Sequence, residues 1–198
     1  MQQAWKTALC HLAAAGLHSN DPRLAIVQKA LRLNVNVIRT SSMGRLFDAA
    51  ASLLGLADFN SHQGRCAMAF ESAARSALTE KIRPLTLAFA KEETVYDPAP
   101  LWKALLQIKR EHQEICAAAL GFHYAVVNMV TDMAERMGVK QVALAGGCFV
   151  NRILLERCTR ELQKKGFQVF YNEAVSPGDG GISLGQAYYG LLRSSVCV

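Results

Sequence analysis

The chain predicts a helix-rich α/β fold with a small sheet and several packed helices. Three observations carry this prediction. Apolar residues recur at three- and four-residue steps through most of residues 1–82; a strand, helix, strand, helix order follows Gly138; and the strand-like segments are too few for a complete doubly wound sheet. With 198 residues, 51% hydrophobic and 19% charged, the chain can bury a substantial core as one domain or as one lobe of a larger enzyme. Its organisation reads as a single domain over 1–198, helical to about residue 82 and mixed αβ from about 83, with no internal repeat and no disordered linker.

Residues 5–15 and 22–33 are short amphipathic helices, the second with Asp21 as N-cap and Pro22 at the first helical position. Ser41 and Ser42 cap a third, in which Met43, Leu46, Phe47, Ala50, Leu53 and Leu54 form the apolar face and Arg45, Asp48 and Ser52 the polar one. A fourth runs over 64–78. LTLAFA and ETVY, between Pro84 and Tyr96, read as strands of a hairpin, and Asp97-Pro98-Ala99-Pro100 as a turn. A helix over 101–110 precedes the strongest one, where Ile115, Ala119, Phe122, Val126, Met129, Met133 and Met137 make a core stripe. Strands at 141–145 and 167–171 flank a helix at 150–165, a parallel pair with a crossover, and a last helix spans 182–193.

Composition narrows the function. The six cysteines are scattered, with no C-x-x-C pair, which argues against a zinc site or a disulfide framework and for core thiols in a reducing compartment. Cys148 stands apart because it sits beside a glycine turn at a helix start, yet no histidine lies close in sequence to activate it. The net charge of +6 is spread along the chain, without the basic stripe and interleaved aromatics of a nucleic-acid binder. The longest uninterrupted apolar runs fall short of the roughly 20 residues needed to cross a bilayer, and the N-terminus lacks a secretory layout, so no membrane role and a cytoplasmic location are expected.

Two glycine-rich turns carry the functional signal. QVALAGGCFVNR delivers an apolar strand to Gly146-Gly147 and a helix start near Asn151, the arrangement in which a phosphate or nucleotide approaches bare backbone and a helix N-terminus. SPGDGG places Asp179 between glycines at the start of the last helix, where its carboxylate can meet a metal or a ligand hydroxyl. In open α/β sheets ligands bind beyond the carboxyl ends of the strands, where both turns lie. On spacing alone a Gly-Gly turn is weak, Asn151 can be only a helix cap, Asp179 only a turn residue, and Asp48 only a helical carboxylate paired with Arg45 or Ser52. His123 reads as a packed core histidine, and Glu111-His112 as a solvated junction.

SSMGRLFDAAASLLGL, Phe122-His123, ALAGGCFVNR and SPGDGGISLGQA, in that order, resemble the C-terminal part of the hydrogenase maturation carbamoyltransferases HypF. The resemblance covers nearly the whole chain and is strongest at 41–56 and 141–190. It implies the second lobe of a Kae1-like domain on the two-lobed actin and sugar-kinase plan. It further implies that Asp48, Gly64, Gly146, Gly147 and Asn151 contact the nucleotide, with Asp48 on the ribose, and that Asp179 is one ligand of a divalent metal.

ATP or carbamoyl-adenylate would be the bound cofactor, with carbamoyl phosphate and ATP as substrates of the whole enzyme. HypE, whose C-terminal cysteine receives the carbamoyl group, and the remaining HypF domains would be the partners. The two histidines, four apart, that complete the family's metal site have no counterpart among His11, His18, His62, His112 and His123, so the chain carries half a site and no catalytic residue of its own, and is expected to be inactive alone. A lobe of a tRNA threonylcarbamoyl or O-carbamoyl transferase, and a non-catalytic lobe that binds a nucleotide or docks a partner, are the competing readings.

Overall fold

The structure, a computed structural model, describes residues 3–92, 95–111 and 114–194. His112, Cys197 and the first two residues of the ETVY segment lie outside the described residues. The chain divides into two compact units, Met1–Met129 and Val130–Val198.

The first unit is built around α3 (Met43–Leu53), which packs on α1 (Ala4–Ala14), α4 (Arg65–Thr79) and α5 (Ala99–Arg110). Its run of alanines favours helix and lets neighbours approach closely, and every residue from Leu46 to Leu53 is buried. The expected two-faced helix is therefore corrected: α3 is enclosed on all sides, and Asp48 and Ser52 are buried with it. Ser42 occupies the N-cap position without a side-chain hydrogen bond, its carbonyl accepting the Arg45 and Leu46 N–H groups.

Phe47 of α3, Phe70 of α4, and Phe122 and His123 of α6 (Ile115–Met137) form one ring cluster. Phe47 meets Phe122 edge-on at 5.0 Å, Phe70 meets Phe122 at 5.1 Å, and Phe70 stacks on His123 at 5.5 Å. The Nδ1 of His123 lies 2.7 Å from the Ala119 carbonyl, which can only accept, so that nitrogen carries the proton. Gly121 sits where the backbone of Leu85 crosses α6: a Cβ there would lie 2.1 Å from the Leu85 carbonyl oxygen.

That crossing corrects the expected LTLAFA strand. The Leu85 N–H donates to Ala117 of the helix, leaving only Ala90–Glu92 (β1) and Val95–Asp97 (β2) to pair antiparallel. The turn expected at 97–100 is instead a helix start. Asp97 Oδ1 accepts the Ala99 N–H at 2.9 Å, and α5 begins there with proline in its first turn. Likewise α2 (Leu24–Leu33) begins two residues later than expected, and Asp21 caps the turn leading into it through the Arg23 N–H.

α6, at 23 residues, is long and apolar enough by length and composition to cross a bilayer, which counting uninterrupted apolar residues does not reveal. Most of it is buried within the protein, as befits a core helix. Its stripe holds as core at Ala119, Phe122 and Val126, whereas Ile115, Met133 and Met137 are exposed.

In the second unit, β3 (Gln141–Leu144) and β4 (Gln168–Tyr171) pair in parallel, Gln141 opposite Gln168 and Leu144 opposite Tyr171, joined through α7 (Arg152–Lys164). Ile153, Leu154, Cys158 and Leu162 form the buried face of α7. The helix starts at Arg152 instead of 150, because residues 147–150 make a 3-10 turn. α8 (Ile182–Ser194) contributes no buried residue.

Burial pushes the His123 imidazole down to about 4, and that of His11, stacked on Trp102 at 4.5 Å, also to about 4. In the unfolded chain both return towards 6.5, so below that pH the unfolded state takes up protons that the folded state refuses. Stability present above pH 6.5 is lost as pH falls towards 4, by roughly 3 kcal/mol for a ring shifted this far. Urea denaturation should show a midpoint that drops between pH 7 and pH 4.5, and His123→Phe should flatten much of that drop. An undiminished drop in the variant would assign the effect to other groups.

Candidate functional site

The expected site residues fall into two groups, one in each unit. In the first, Asp48 is carried by α3 beside the N-terminus of α4, and its Oδ2 accepts from Asn60 Nδ2 at 2.9 Å. Asn60 in turn accepts the Cys66 N–H at 2.7 Å, satisfying one of the free donors that open α4. Gly64 precedes α4 with φ +79°, a left-handed conformation that suits glycine, and a Cβ there would meet nothing within 4 Å.

Burial raises the Asp48 carboxyl above the ordinary carboxylate range, while the Asn60 amide, the nearby Arg45 and the Ala67 N–H pull it back. Next to it, Ser52 donates to Asp58 Oδ1 at 2.6 Å. Asp48 thus pairs with Asn60, and Ser52, its expected helical partner, turns to Asp58. A partly buried carboxylate held by a side-chain amide next to a helix N-terminus can accept a hydroxyl donor such as those of a ribose.

The second group surrounds the two glycine turns. Gly146, with φ +99°, donates its N–H to the Pro177 carbonyl at 2.8 Å, which ties the two turns together. Gly178 lies against Gly147, where a Cβ on Gly178 would come within 3.4 Å of the Gly147 Cα. Gly181 is fixed by close approach, since its Cβ would stand 2.6 Å from the Ser176 carbonyl oxygen. Gly147 differs from these. Its φ lies outside the left-handed range, and a Cβ on it would meet nothing within 4 Å.

Asn151 is the N-cap of α7, its Oδ1 accepting the Leu154 N–H at 3.1 Å. Asp179 opens the short 3-10 turn Asp179–Gly181 and is exposed. Among the described residues no group of three or more histidine, cysteine or acidic side chains is placed to hold a metal. Burial raises the Cys66 thiol to about 11 and the Cys158 thiol to about 12, so neither is a ready nucleophile at neutral pH.

Sequence reasoning missed Asn60 and Pro177. Asn60 lies five residues ahead of α4, outside any capping spacing, and Pro177 acts only through its carbonyl.

The family model of the carbamoyltransferase Kae1-like domain, second subdomain, matches residues 1–186. The chain belongs to the HypF family. It is 39% identical over 147 residues to the carbamoyltransferase HypF of Synechocystis, covering 74% of this chain and 19% of that protein. It is 32% identical over 200 residues to HypF of Rhizobium leguminosarum, covering 95% and 25%. The crystal structure of full-length HypF in its phosphate- and nucleotide-bound form superposes with a TM-score of 0.77 at 30% identity, covering 94% of this chain and 26% of that one. The helix-rich α/β architecture with a small parallel sheet is thus that of a HypF Kae1-like lobe of the actin and sugar-kinase class, and the chain spans about a quarter of the length of such relatives.

Within this HypF lobe, Asn60 links Asp48 to α4. Asn60→Ala leaves a buried carboxylate without its amide donor and the Cys66 N–H without its acceptor, each worth about 1–3 kcal/mol. Thermal denaturation should show a destabilisation in that range, with Asn60→Asp no better because it sets two carboxylates together. A variant melting within a degree of the wild type would contradict the link.

Proposed function

We propose that this chain is the nucleotide-binding second lobe of a cytoplasmic carbamoyltransferase, in which Gly146, Gly147, Asn151, Asp48 and Gly64 contact the adenylate. The observation that carries the reading is Gly147: neither its backbone angles nor its packing within the chain calls for glycine, and the bare backbone beside the helix start is open to the approach of an outside molecule. The turn sits at the carboxyl end of β3 just before α7, where backbone N–H groups favour an anion. A nucleotide-bound HypF superposing on 94% of the chain supports the same ligand class.

In the proposed reaction the thiolate of the C-terminal cysteine of HypE attacks the carbamoyl carbon of carbamoyl-adenylate. The carbon–sulfur bond forms, the bond to the phosphate oxygen breaks, and AMP leaves. This lobe binds and orients the adenylate. Its buried thiols are held protonated, in keeping with a reaction whose acceptor brings its own nucleophile. The remaining HypF domains supply the rest of the site, so the chain alone is inactive. Asp179 offers one carboxylate where a divalent cation takes several ligands, so the described residues do not by themselves form a metal site.

Calorimetric titration of AMP into the chain tests the reading. Asn151→Asp keeps an oxygen to cap α7 but replaces the amide NH2 with negative charge, so it should weaken binding about tenfold or more, the effect of roughly 1.4 kcal/mol, while the helix content stays unchanged. Undiminished affinity in both Asn151→Asp and Asp48→Asn, or no binding by the wild type, would overturn the assignment.

A further inference from the structure

The segment from Pro22 to Phe47 holds five cations, of which Arg23 pairs with the flanking Asp21 at 2.6 Å and Arg45 lies near Asp48, leaving Lys29, Arg32 and Arg39 with no carboxylate in the segment. On α2, Leu24 and Val27 are buried towards α1, which leaves Ile26, Lys29 and Leu33, at i, i+3 and i+7, on the outward side. Ile26 is 73% exposed and Leu33 57%. Asn34 then ends the helix in the left-handed conformation, with the Val35 N–H returning to the Ala30 carbonyl at 3.0 Å and the Asn34 N–H to Leu31 at 3.2 Å. This cap turns the chain so that aliphatic exposure continues past the helix, with Val35 52% and Ile38 84% exposed. Lys29, Arg32 and Arg39 are in no ion pair among the described residues.

We propose that this face docks a second protein through a segment that is rich in carboxylates and carries aliphatic side chains. Unpaired cations next to protruding aliphatics suit a partner able to satisfy both, as when an acidic amphipathic helix meets a basic apolar surface. Nucleic acid fits less well, because the ring beside this segment, Trp5, is taken by the Arg23 guanidinium at 4.2 Å and residues 6–46 contain no phenylalanine, tyrosine or tryptophan on which a base could stack. An anionic membrane also fits less well. The inner side of this ten-residue helix is committed to α1, and only Ile26 and Leu33 remain on it to enter lipid. The surface lies outside the residues assigned to the nucleotide and does not depend on that assignment.

The test uses the whole chain and fluorescence anisotropy with a labelled amphipathic peptide of leucine and glutamate. The peptide should bind, and binding should fall at least tenfold in Lys29→Glu/Arg32→Glu and in Ile26→Ser/Leu33→Ser, with circular dichroism unchanged. The control pair Arg160→Glu/Lys164→Glu, which alters net charge equally, should leave it intact, and a peptide with glutamine for glutamate should bind at least tenfold more weakly. Equal loss in both charge pairs would overturn the proposal by reducing the effect to net charge. Tighter binding of a single-stranded oligonucleotide or of phosphatidylserine vesicles, lost in the same variants, would assign the face to those ligands instead. A dimer in sedimentation that dissolves in Ile26→Ser/Leu33→Ser would give the face to a second copy of this chain.

Discussion

The contact of Phe47, Phe70, Phe122 and His123 is the constraint on which the first unit depends. These rings come from three helices far apart in sequence, and all four are buried. Each such ring pair contributes about 0.5–1.5 kcal/mol beyond the area it buries. With Phe47 locked between α4 and α6, Asp48 has one place to point, towards the N-terminus of α4, where Asn60 receives it. The position of a proposed ligand group thus follows from the packing of the aromatic side chain before it.

The second unit positions its residues by a different device. There is little core there, and the glycine turns are fixed by backbone contact: the Gly146 N–H on the Pro177 carbonyl, Gly178 against Gly147, and Gly181 against Ser176. Gly146 is explained by its positive φ and Gly181 by close approach to Ser176, whereas a Cβ on Gly178 would make only an ordinary contact with Gly147. Gly147 is explained by neither. That difference separates glycines that build the turn from one that leaves a surface open.

Much of this was legible in the sequence, and the failures have physical causes. The parallel β3–α7–β4 unit followed from an apolar run, a glycine turn and an amphipathic stretch, because period and turn chemistry agree there. The LTLAFA strand failed because β-like composition cannot show that the segment's neighbour is a helix backbone, reached at Gly121. The polar face of α3 failed because Asp48 and Ser52 find half-buried partners, Asn60 and Asp58, six to twelve residues away in a loop that carries no periodic signal. Of the proposed site, the motifs indicated Asp48, Gly64, Gly146, Gly147, Asn151 and Asp179. Asn60 was invisible because its function is to connect two elements, and no spacing rule describes such a connection.

Substituting Gly147 by alanine, with melting temperature and AMP affinity measured on the same sample, separates a glycine needed by the fold from one needed by the nucleotide. A methyl group there meets nothing in the chain, so the melting temperature should stay within about 2 °C of the wild type, a shift equivalent to at most about 0.5–1 kcal/mol. AMP affinity should fall at least tenfold, because the added methyl stands where the nucleotide approaches. A variant that melts well below the wild type while binding AMP undiminished would show that the glycine serves the fold, and the open turn would not be a nucleotide site.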